Sequence, residues 1–164
     1  MNRAVAVAAG VTAAVVAVGG GALAAVQAHQ LSDRAAVGAK VSRQNAALAA
    51  GRQMAVDFLA YDYRHIDADF TRVVGESVGA LAKDFATQSA SVRDLIVKAK
   101  AVSTATVAGA ALVAVSATTA RVIVSLDRTV VNTSAPKGQS NAVDLQLDLV
   151  KQHGRWFASA VKPV

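Results

Sequence analysis

VDLQLDLV, residues 143–150, decides the fold. Val143, Leu145, Leu147 and Leu149 alternate with Asp144, Gln146 and Asp148. An extended strand puts every second side chain on one face, whereas a helix would scatter these four apolar groups around its axis. Residues 121–131 repeat the pattern, with Val122, Val124 and Leu126 set against Arg121, Ser125 and Asp127. Residues 104–115 are rich in valine and threonine, and GRWFASAV, residues 154–161, closes the chain. The spacing predicts four antiparallel strands, each with one buried face. Short turns are expected at Ala117-Thr118-Thr119 and at His153-Gly154. TSAPKGQSN, residues 133–141, contains Pro136 and Gly138 and predicts an exposed loop.

Upstream the period changes. Residues 27–60 hold no proline, and glycine only at Gly38 and Gly51. This composition predicts a stalk helix over residues 27–45, followed by a first domain helix over about residues 42–61. Leu48, Met54, Ala55, Phe58 and Leu59 share one face of the latter. A second helix is expected over residues 66–74. A third follows Gly75-Glu76-Ser77, with Ser77 as N-cap. On it Val78, Leu81, Phe85, Val92, Leu95, Ile96 and Ala99 form a helical stripe that should face the core. Three helices and then four antiparallel strands make an α+β layout, a curved sheet wrapped on helices in a cystatin-like cone.

Residues 4–26, AVAVAAGVTAAVVAVGGGALAAV, hold no charge and one hydroxyl, Thr12. Such a helix is roughly 35 Å long, enough to cross a hydrocarbon core of about 30 Å. It reads as an uncleaved signal-anchor, being longer than a signal-peptide core of about 7–15 residues. A cleaved signal peptide, with Ala22-Leu23-Ala24 as the cut site, is the alternative. The organisation is thus a transmembrane helix at 4–26, a stalk at 27–45 and a folded domain at 46–164. The balance of Lys and Arg around the span slightly favours a cytoplasmic C-terminal side.

The formal charge is +6, but the basic residues form no run and no aromatic platform accompanies them. That excludes a nucleic-acid interface. The absence of cysteine removes disulfides, thiolate metal sites and cysteine nucleophiles. Neither a phosphate-binding glycine loop nor a nucleophile elbow occurs. A lone His65–Asp69 pair is too thin for a metal site, and no cofactor is expected.

The densest polar stretch is YDYRHIDADF, residues 61–70. It reads first as the corner between two helices, with Asp67 near a helix start accepting backbone N–H groups and complementing the dipole. One of Tyr61 and Tyr63 should anchor its hydroxyl to a neighbour. As a site, the stretch offers Tyr61, Tyr63 and Asp67 for ligand or partner binding, together with Trp156 at the start of the last strand. For Trp156 the plainer reading is a core or rim anchor.

AVDFLAYDYRHIDADFTRV, FATQSASVRDLIVKAKAVSTATV and the terminal GRWFASAVKPV together resemble the Mce-associated membrane proteins of actinobacteria. The resemblance covers most of residues 46–164 and the anchor-plus-domain plan. It implies a cone-shaped domain like those of the nuclear-transport-factor and ketosteroid-isomerase superfamily, shared with some type IV secretion assembly proteins. It also implies a cytoplasmic N-terminus and an extracytoplasmic domain in the cell membrane, against the charge count. The role implied is non-catalytic: an accessory that stabilises or assembles an Mce-type lipid or sterol importer. Two alternatives follow from the cone. One is a lipid- or sterol-binding module with a cavity lined by Phe58, Phe70, Val124 and Leu147. The other is an isomerase-like enzyme acting through Asp62 or Asp67.

Overall fold

The computed structural model describes the backbone from Ala8 and the side chains from His29 to Val164. The elements run α1 (Ala8–Leu59), β1 (Tyr61–Asp62), α2 (Ile66–Gly75), α3 (Gly79–Ala99), β2 (Val102–Val115), β3 (Thr119–Asn132), β4 (Ala135–Gln152) and β5 (Arg155–Pro163). The chain divides into Met1–Ser42 and Arg43–Val164. In the first unit the described residues are helical and exposed, Leu31, Val37 and Val41 among them. The expected membrane span, residues 4–26, lies outside the residues described in full. Among those described, no helix is long and apolar enough to cross a membrane. The stalk and the first domain helix, expected as two, are both parts of α1.

The second unit, the lobe, is built on one antiparallel sheet in the order β1-β2-β3-β4-β5. It has five strands, not the four expected. The addition is Tyr61-Asp62, which pairs with Ser103 and Val102. Two residues are too short to show an alternation, so no pattern in the sequence marks them.

The strictly alternating stretch behaves as its period demands. Leu147 and Leu149 of β4 are buried beside Val122, Val124 and Leu126 of β3. Ala47, Met54 and Ala55 of α1 close over them, and Trp156 and Ala158 of β5 complete the cluster. Gly51 sits between Ala47 and Ala55 on the same helical face, where a Cβ would lie 3.0 Å from Cβ, Cγ1 and Cγ2 of Val122. The helix therefore approaches the sheet closely there, and a side chain larger than glycine's would require Val122 to give by a few tenths of an ångström. Burying each Leu or Val fully contributes roughly 1.5–3 kcal/mol, and these five strand residues are the largest fully buried side chains among the described residues.

Three expectations are corrected. The loop at residues 133–141 is mostly strand. Thr133 and Ser134 alone make the turn, with Asn132 Oδ1 accepting from the N–H groups of Ser134 and Ala135 at 2.9 and 2.8 Å. Pro136 is tolerated because β4 lacks a β5 partner there and the β3–β4 register shifts between Val130 and Asn132. Ser77 is not the cap of α3: Val78 holds that position, and Ser77 Oγ donates instead to Val73 O at 2.7 Å. Residues 76–78 run along β5, with Val78 N–H on Ala158 O at 2.9 Å and Ala158 N–H on Glu76 O at 2.8 Å. Finally, the α3 stripe is only partly inside. Ile96 is buried and Leu81 and Phe85 half-buried, but Val92 and Leu95 are 45% and 67% exposed. The face of the sheet under α1 is already covered, so α3 packs on α2 and β5. The His153-Gly154 turn forms as expected, both residues having positive φ.

Candidate functional site

The polar stretch is a set of arginine latches. Asp62 Oδ1 accepts from the backbone N–H and the Nε of Arg64, each at 2.9 Å, which turns the chain sharply after β1. These hydrogen bonds hold its carboxyl down to about 2. The Asp62 N–H donates to Asp69 Oδ2 at 2.9 Å, and Asp69 Oδ1 accepts from Arg72 Nη2 at 2.9 Å. Arg72 Nε reaches Asp57 Oδ1 at 2.8 Å, tying α2 to α1. Asp57 is buried, and Gln53 Nε2 donates to its other oxygen at 2.8 Å. Asp67 stands in the first turn of α2, but no backbone cap bond forms there. Its two oxygens accept from Arg93 Nε and Nη2 at 2.6 and 3.1 Å, which lowers its pKa and ties α2 to α3.

The two tyrosines divide the work. Arg128 Nη2 donates to Tyr61 Oη at 3.3 Å while Arg128 Nε donates to the buried Ser103 Oγ at 2.9 Å. The guanidinium also sits 5.9 Å from the Tyr61 ring centroid. Tyr63 packs with Ile66, Ile96 and Ala101 in a small second core, and its N–H donates to Ala101 O at 3.1 Å. Trp156 is buried in the main core, with Lys151 Nζ 5.7 Å from its ring centroid. Thus Tyr61, Tyr63 and Asp67 come together at the corner, and Trp156 stands apart from them in the main cluster.

Acid–base chemistry needs a desolvated carboxyl facing a pocket. Asp62 and Asp67 are lowered and held by arginines. Glu76 is the exception: burial raises its pKa first, then the Asp57 charge. Its Oε2 is buried without a hydrogen-bond partner among the described groups. Glu76 does not line the aromatic cleft between the helices. No three His, Cys, Asp or Glu gather as a metal site among those residues.

The apolar opening is elsewhere than expected. Val124 and Leu147 are fully buried in a filled core, so no cavity joins them to Phe58 and Phe70. Those two phenylalanines instead line an open cleft of about 320 Å³ between the helices, with Tyr61, Leu81, Phe85 and Ile96. Phe85 meets Phe58 and Phe70 edge-on, at centroid separations of 5.9 and 5.3 Å. Asp84, Gln88 and Ser89 rim it. The sequence marked Leu81, Phe85 and Val92 as apolar, but a helical period cannot tell a core from a cleft. Asp57, by contrast, could be suspected as one carboxylate on an otherwise apolar turn, between Val56 and Phe58.

The lobe shares its fold with several solved bacterial domains. An IcmL-like type IV secretion system protein from Legionella pneumophila aligns at TM-score 0.59 with 11% identity, over 71% of this chain and 88% of that one. A periplasmic fragment of TraM aligns at 0.59 and 14%, over 73% and 96%. VirB8 from Agrobacterium tumefaciens aligns at 0.55 and 10%, over 75% and 92%. At such identities the likeness is one of fold, and the expected kinship with type IV secretion assembly proteins holds at that level. No curated protein matches the sequence. A family model described as "Uncharacterized protein Rv1363c/MT1408-like" matches residues 4–164, and the chain belongs to that family.

Proposed function

We propose that the protein is a non-catalytic, single-pass accessory subunit of the cell membrane, with its N-terminus in the cytoplasm and its lobe outside. Its partner is a lipid- or sterol-import complex of the Mce type, which it stabilises or helps assemble. One observation carries the reading: each carboxylate of the polar corner is engaged by an arginine, Asp57, Asp67 and Asp69 in pairs that hold α1, α2 and α3 and Asp62 in a local turn after β1. The kinship of fold with a periplasmic TraM fragment supports placing the lobe outside the cytoplasm. The uncharged residues 4–26 support the anchor. Co-purification after mild detergent extraction tests it. Transporter subunits should be recovered with the protein and should decline in a deletion strain. Recovery of none, with normal complex levels in the deletion strain, overturns it.

The aromatic cleft favours a second reading, in which the lobe itself holds an acyl chain or sterol. Its 320 Å³ falls at the small end of ligand pockets, about 300–1,000 Å³. Titration of a fluorescent fatty-acid or sterol probe decides this: saturable binding that Val92→Asp weakens supports it, and no saturable binding ends it.

A further inference from the structure

The two edges of the sheet are treated differently. The outer edge of β5 is occupied by residues 76–78 through the two backbone hydrogen bonds to Ala158, and its strand carries Arg155, Lys162 and Pro163. Lysine, proline and a covering segment are the usual means of keeping an edge from pairing with another chain. The other edge has little of this. On β2 only Val102 and Ser103 are paired outward, with β1. The rest of the strand, residues 104–115, has no outward strand partner among the described residues. All fourteen residues of β2 are uncharged, and none is proline. Bulges at Ala108 and Val113 interrupt its register with β3, which leaves residues 104–107 as the regular stretch nearest β1.

A second observation meets this one at Val107. The side of α1 facing β2 leaves a groove of about 480 Å³, with Leu48, Val56 and Val107 as apolar wall and Asn45 and Arg52 as polar wall. A strand added beside β2 would lay alternate side chains into that groove and continue the sheet with its backbone. Arg52 is exposed and has no ion-pair partner among the described residues.

We propose that the β2 edge at residues 104–107 takes up an extended segment of a partner protein, whose apolar side chains enter the α1–β2 groove and whose carboxylate pairs with Arg52. Main-chain hydrogen bonds supply the affinity and the alternate side chains the selectivity, as in other strand additions. A second copy of this chain fits less well: its own β2 brings no carboxylate to Arg52. This deepens the accessory reading by naming the docking surface.

The test uses the full chain in detergent micelles and a synthetic decapeptide of alternating threonine and valine with one central glutamate. Hydrogen exchange should show added protection at residues 104–107. A peptide with lysine for glutamate should bind about fivefold more weakly, the upper end for one exposed ion pair. Arg52→Glu, on an exposed position that folding does not depend on, should reverse that preference. A peptide N-methylated on alternate residues, with unchanged side chains, should lose the protection. Protection absent from residues 104–107, or unaffected by N-methylation, overturns the proposal. So does protection that arises without peptide and rises with protein concentration, which assigns the edge to a second copy. Because no transporter is present, these outcomes are independent of the co-purification result.

Discussion

Val122, Val124 and Leu147 on one side of the lobe, and Asp57, Asp67 and Asp69 on the other, are both meeting points of helix and neighbour, but they hold by different physics. Under α1 the contact is dry and close, so that a single methyl at Gly51 would lie 3.0 Å from Val122 and press on it. At the helical corner an open cleft remains between the elements, and directional ion pairs tie α2 to α1 and to α3. The first region loses stability when volume changes. The second loses it when a charge is orphaned, and it leaves apolar surface uncovered. A lobe built this way has a closely packed side under α1 and an open apolar cleft at the helical corner.

The sharpest way to break the comparison is Leu147→Ala. At a fully buried site it should cost about 2–5 kcal/mol in urea unfolding. A loss under about 1 kcal/mol would mean the dry side is not closely packed. Gly51→Ala should cost about 1–3 kcal/mol through overpacking against Val122, although alanine is the better helix former. Were it to stabilise the protein, Val122 would be shown to give way to the added methyl rather than resist it. Arg72→Ala should cost about 1–3 kcal/mol, because it strands the buried Asp57. A double mutant with Asp57→Asn should recover part of that loss, and additive losses would show that the latch is not one unit. Val92→Asp, on the cleft side, should change stability by under about 0.5 kcal/mol, being 45% exposed.

Acid titration separates the halves further. A lowered carboxyl stabilises the fold fully above its ordinary value and loses that contribution as pH falls through the folded value. For Asp62 the window runs from 3.8 down to about 2, and Asp67 adds to it in the same direction. Glu76 has the opposite sign. Its pKa is raised above 4.5, so its contribution is present below that value and lost as pH rises through the folded one. Glu76→Gln should therefore slightly stabilise the protein at neutral pH and flatten this part of the stability profile. Unfolding curves at pH 3, 5 and 7 check both signs.

The dry half was readable from the residues. The alternation at 143–150 and 121–126 placed Val122, Val124, Leu145, Leu147 and Leu149 on one face, because a strand's period leaves no other choice. The cleft side was not. Whether Val92 and Leu95 face a core or a cleft depends on what already fills the space beneath them, and α1 occupies it from far away in sequence. Pro136 and Gly138 carried turn chemistry, yet β4 runs through them because its edge there is unpaired. Asp67's place in the first turn of α2 was legible, but not the absence of the backbone cap expected of it. Its partner, Arg93, could not be read, since residues 26 positions apart meet only through the packing of two helices.

The contact between Gly51 and Val122 also sets an order of events at the ribosome. The face of α1 that carries Ala47, Met54 and Ala55 is synthesised roughly 70 residues before the strand it covers. At about 5–20 residues per second that is a wait of some 4–14 s. During that interval a growing chain displays an apolar helix stripe with nothing of its own to shield it, a window in which chaperones or a nearby bilayer would be its first company.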